Sequence, residues 1–96
     1  MNRHGSNVAD VADLISFKAE LIRLSDELDN IYNFLKSDLT ELSYNWQDRK
    51  FIEFDQNFAP KKEEIRKISE SYRTWANTSL QRTIDSLIDL GDTNLG

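Results

Sequence analysis

Apolar residues in the first half of the chain fall at Leu14, Phe17, Leu21, Leu24, Leu28, Ile31 and Leu35. The steps alternate three and four, the heptad rhythm of a helix that packs along a single seam. The next beat is Asp38, and the stripe moves instead to Leu39, Leu42 and Trp46. Two successive steps of four make a stutter, which locally unwinds a left-handed supercoil. Val8 and Val11 extend the stripe backwards, and no glycine or proline interrupts residues 6 to 44. The pattern predicts one helix over about residues 7–44, ~57 Å long at 1.5 Å per residue.

A second stripe runs through Phe51, Phe54, Phe58, Ile65, Ile68, Tyr72 and Trp75, with Leu80, Ile84 and Leu87 following after a shift. Asp48 suits an N-cap, so the second helix is expected over about residues 49–90 with a corner at 45–48. Lys61 occupies an apolar beat and Pro60 lies beside it. Proline removes one helical hydrogen bond and crowds the preceding turn, so a kink is expected near residues 56 to 60, a full break being the alternative. Gly91 reads as a stop after Leu90, leaving residues 1–6 and 91–96 frayed.

The two stripes share a register. Folding the chain at Trp46 pairs positions whose numbers sum to about 93, so that Leu42 meets Phe51, Leu35 meets Phe58, Leu28 meets Ile65 and Leu21 meets Tyr72. The expected fold is all-α: one antiparallel helix-turn-helix hairpin filling a single domain of 96 residues. Three glycines and one proline leave few turns, where a sheet protein of this length needs many. Two helices cover only one side of each other, and Val8, Ile15, Ile22, Tyr32, Phe34, Ile52 and Ile88 widen the stripes beyond one neighbour. Dimerisation into a four-helix bundle would cover them.

Charge narrows the partners. Seventeen acids against twelve bases give a net charge of −5. That disfavours nucleic acid, whose recognition rests on a surplus of Lys and Arg. No cysteine is present, so thiol chemistry is excluded. No apolar run is long enough to span a membrane, and residues 1–10 carry no apolar h-region of a cleavable signal. The expected location is the cytoplasm, or outside the cell by a route that needs no such signal.

Candidate chemistry is sparse. His4 is the single histidine, the acids follow helical spacing without a calcium-loop pattern, and no serine has a histidine base or a nucleophile elbow. An enzyme is not expected, nor a metal or other cofactor. Lys61, Lys62, Arg66 and Lys67 are interleaved with Glu63 and Glu64, which suits Glu63–Lys67 pairing on a wet face. Trp46 reads as a plug closing the end of the core, with display as a recognition handle the alternative.

A chain of this length with two long helices and "NWQD" at the corner resembles the WXG family, the ESAT-like small proteins of type VII secretion. The resemblance spans most of the chain, including its acidity, its heptad-like spacing and a phenylalanine (Phe51 or Phe54) soon after the corner. Two positions depart from the pattern. Asp48 stands where the family has glycine, and Tyr72 is followed four residues later by Ala76 instead of an acid. The resemblance implies a non-enzymatic homodimer or heterodimer with a similar hairpin, exported as a folded bundle or escorting a larger effector to a secretion ATPase. The competing expectation is a cytoplasmic coiled-coil adaptor that binds a partner helix and has no secretion role.

Overall fold

The computed structural model describes the backbone of residues 11–95 and the side chains of residues 11–90. All regular structure among the described residues is helical. Helix α1 spans Val11–Asn45 and α2 spans Arg49–Trp75, followed by one π-helical turn over Ala76–Leu80 and by α3 over Gln81–Leu95. The last three elements follow one another without a loop and run back along α1. The molecule is therefore the expected antiparallel hairpin, 70 × 23 × 17 Å in extent. Val8, His4 and the frayed start expected over residues 1–6 lie outside the described residues.

The corner is made by capping. The Trp46 N–H donates to the Leu42 carbonyl at 2.8 Å, closing the last turn of α1. Asp48 then takes an extended backbone (φ −133°, ψ −179°), and its carboxylate accepts the Phe51 N–H at 3.2 Å. An extended residue needs no glycine, and Asp supplies the acceptor that the first free N–H groups of a helix require. Trp46 is half-buried in an aromatic cluster, 5.4 Å from Phe51 in an edge-to-face arrangement and 5.9 Å from Phe54. Phe54 in turn stacks on Phe58 at 6.0 Å.

Helix α2 continues through Pro60 without a break, so the full break is ruled out. Helix α3 also passes through Gly91 to Leu95, beyond the stop expected there. Glycine inside a helix costs about 1 kcal/mol relative to alanine, which weakens a helix without ending it. The shift in the second stripe has a structural counterpart. Trp75 to Leu80 is a step of five residues, and the π-helical turn over Ala76–Leu80 absorbs the extra residue. Leu80, at the end of this turn, and Ile84, beyond it, are buried, and Leu87 is half-buried.

Near its middle the hairpin buries two serines, one on each helix. Ser25 and Ser69 are 0% and 1% exposed. The Ser69 hydroxyl lies 3.0 Å from the Ser25 carbonyl oxygen and 2.5 Å from Asp29 Oδ1, and donates to one of them at a time. Arg73 completes this polar latch, reaching Asp29 at 2.8 Å and Asp26 at 3.1 Å. The axial register follows from the serine contact, because positions 25 and 69 sum to 94, one more than the sum of about 93 read from the stripes.

Candidate functional site

Of the sixteen seam positions, the structure turns eight towards the intrachain contact. These are Leu14, Leu21, Leu28, Leu35 and Leu39 on α1, and Phe51, Phe58 and Ile65 on α2. The other eight are exposed: Phe17, Leu24, Ile31 and Leu42 on α1, and Phe54, Ile68, Tyr72 and Trp75 on α2. The division has a geometric cause. The contact line runs along Lys18, Ser25, Tyr32 and Leu39 on one helix and along Lys62, Ser69 and Ala76 on the other. A regular three-four stripe is wider than one helix–helix contact, so residues beside this line are left uncovered.

The uncovered halves lie on the same side of the hairpin. At ~100° per residue, Phe17, Leu24, Ile31 and Leu42 sit roughly 80–120° to one side of Ser25. Phe54, Ile68, Tyr72 and Trp75 sit roughly 60–120° to one side of Ser69 by the same count. Asp26 and Asp29 rotate to the opposite side of α1, Arg73 to the opposite side of α2, and these three meet in the latch. If one pair of flanks converges in an antiparallel hairpin, the other pair shares the reverse face. One broad surface is thus an exposed apolar face, and the reverse surface carries the latch. Ile15, Phe34, Tyr44, Ile52 and Ile88 are exposed outside this face.

Electrostatics differ between the helices. Among the described residues α1 carries seven acids and three bases, a net −4, while α2 carries five acids and seven bases, a net +2. The Tyr32 hydroxyl donates to Glu63 at 3.1 Å, and Lys62 lies 5.9 Å from the Tyr32 ring centroid. The Glu63 carboxyl is held below its ordinary pKa by the Arg66 guanidinium at 2.7 Å and then by the Tyr32 hydroxyl. Glu63 thus pairs at i,i+3 with Arg66 and not with Lys67, because the guanidinium fork presents several donors at that spacing.

Sequence reasoning passed over Ser25, Ser69, Asp29 and Arg73. Their signal is weak but present: small residues at 25, 69 and 76 stand between the flanking stripes. Among the described residues no cluster of three or more His, Asp or Glu is placed to hold a metal ion, and no helix is long and apolar enough to cross a membrane. Comparison with known protein families, with curated proteins and with solved structures finds no match to this chain. The apolar face and the corner are the features left to carry a function.

Proposed function

We propose that this chain is a non-enzymatic, WXG-like binding module whose apolar face receives another helical hairpin, forming a four-helix bundle. The single observation that carries this reading is the set of eight large apolar side chains exposed together along one face. Contiguous exposed apolar surface on this scale marks an interaction site, whereas scattered apolar residues do not. A second hairpin laid on that face supplies the missing layer of a bundle. In this reading the bundle serves as a type VII-type secretion substrate or as an adaptor for a larger effector. The "NWQD" corner supports it, with Asp48 in the place of the family's glycine and capping the second helix.

A second reading has its own support. The C-terminal half lacks a tyrosine followed four residues later by an acid, since Ala76 follows Tyr72 at that distance and is buried. That favours a cytoplasmic adaptor binding a partner helix without export. Affinity purification from the native host, using wild type and the double variant Leu24→Glu/Ile68→Glu, tests the face itself. The partner is expected with wild type and lost with the variant, while helical content is unchanged. A partner retained by the folded variant would sink the face as a binding site. Release into the medium that requires the secretion ATPase separates the two readings.

A further inference from the structure

We infer that the outer side of α1, around Phe34 and Tyr44, docks a short arginine-bearing peptide segment of another protein that also carries one large apolar side chain. This surface lies apart from the apolar face and is free to be occupied while that face is covered.

The first observation is exposure. Phe34 and Tyr44 are 70% and 71% exposed, above every other large apolar residue among the described ones, the next being Ile52 at 55%. At ~100° per residue Phe34 points directly away from Ser25 and from α2, so its ring is no part of the hairpin core. Asn30, Ser37, Asp38, Glu41 and Tyr44 fall within roughly 80° of it, and all are exposed. Asn30, Asn33, Phe34 and Ser37 line an open hollow of 330 Å³, whose one large apolar wall is the Phe34 ring.

The second observation is charge. On α1, Glu20 and Glu27 pair with Arg23, while Asp26 and Asp29 pair with Arg73. Asp38 and Glu41 have no such partner among the described residues. They stand four and seven residues after Phe34, which puts both carboxylates on the side of the helix that carries its ring. They also stand near the wrong pole. The C-terminal end of a helix is its negative end and favours cations, yet the last turn of α1 has no basic residue. Arg49 and Lys50, just across the corner, make no ion pair with either acid among the described residues. Two acids and a helix C-terminus thus sum to a local negative potential. A sequence that breaks a local rule without an internal compensation points to a role outside its own fold.

Together these features select the occupant. A guanidinium forks onto a carboxylate and rests its plane on an aromatic ring. Asp38 and Glu41 offer the first contact, and the Phe34 and Tyr44 rings beside them offer the second. The hollow next to Phe34 takes the apolar side chain. Size sets the rest. From Asn30 to Tyr44 the surface is ~21 Å long, and with a helix about 10–12 Å across it offers roughly 200–250 Å². Each side of a stable interface between folded proteins covers about 800 Å². The occupant is therefore a short segment held weakly, and not a folded domain. Its acidity turns away nucleic acid and anionic membrane surfaces.

Amide NMR shifts of the full chain, titrated with a blocked 12-residue peptide of two arginines, one leucine and alanines, test the proposal. The peptide is expected to bind with Kd of roughly 0.1–1 mM at low salt, and to shift amides between residues 30 and 45. Phe34→Ala should weaken it at least ~5-fold, and Asp38→Asn/Glu41→Gln about 10-fold. A peptide with lysine in place of arginine should bind ~3-fold or more weakly. Asp85→Asn/Asp89→Asn makes the same change in net charge at exposed positions of α3 and should leave binding within ~2-fold. All these positions are exposed, and circular dichroism verifies that each variant folds. Shifts centred on Leu24 and Ile68 overturn the assignment of the surface. An unchanged Kd in Phe34→Ala or in Asp38→Asn/Glu41→Gln overturns it too. An equal loss in Asp85→Asn/Asp89→Asn shows bulk charge alone at work and overturns the site.

Discussion

Replacing Ser69 tests whether the close approach at the middle of the hairpin holds the two helices together. Its hydroxyl is buried and has two acceptors on α1, the Ser25 carbonyl at 3.0 Å and Asp29 Oδ1 at 2.5 Å. In Ser69→Ala the helix pair keeps its spacing and loses that donor. A net hydrogen bond contributes about 0.5–1.5 kcal/mol, and one to a charged acceptor about 1.5–3 kcal/mol. The upper end does not apply. Asp29 is partly solvated and keeps Arg73, and the Ser25 carbonyl keeps its place in the α1 ladder. A loss of about 1–2 kcal/mol is expected, which lowers the melting temperature by ~4–16 °C in a domain of this size. Ser69→Leu is the harsher probe. It adds bulk where the hydroxyl already touches the opposite backbone, and overpacking adds ~1–3 kcal/mol to the lost hydrogen bond. Urea unfolding followed by circular dichroism, at one fixed protein concentration, measures both variants. A double-mutant cycle with Asp29→Ala should show a coupling of at least ~0.5 kcal/mol. The reasoning fails if Ser69→Ala unfolds within ~0.3 kcal/mol of wild type, or if Ser69→Leu is no worse than Ser69→Ala.

Pro60→Ala is expected to stabilise the chain by ~1–3 kcal/mol in the same assay, because Pro60 lies inside α2 and lacks the N–H that the helix would use. No gain would mean that the hydrogen bond Pro60 cannot make contributes nothing to the stability of α2. Trp46→Ala should cost ~2 kcal/mol, about half of a full core truncation, since the ring is half-buried against Phe51 and Phe54. Unchanged stability with lost partner capture would make Trp46 a handle instead of a plug. The pH dependence of unfolding should contain a part due to Glu63, whose pKa is lowered on folding by Arg66 and Tyr32. That part is complete above the ordinary value of 4.5 and is lost as pH falls through the lower folded value. Glu63→Gln should flatten this portion of the pH–stability curve, and an unaltered slope would refute the assignment.

The hairpin was legible from the sequence because it depends on long-range regularity. Uninterrupted three-four spacing from Leu14 to Leu35 predicts a long helix, and the common register of two such stripes predicts their antiparallel pairing. Even the π-helical turn left a trace, as the step of five from Trp75 to Leu80. Which side of each stripe meets the other helix was not legible, and the reason is physical. Hydrophobicity marks every face that leaves water, whether it packs within the chain or is free to pack beyond it. The closest helix contact is set by size instead: Ser25, Ser69 and Ala76 let the backbones approach, and no hydropathy pattern distinguishes a small buried serine from an exposed one. Gly91 misled for a related reason, because the glycine type of helix stop needs a left-handed conformation and hydrogen bonds beyond it, and glycine only permits that conformation.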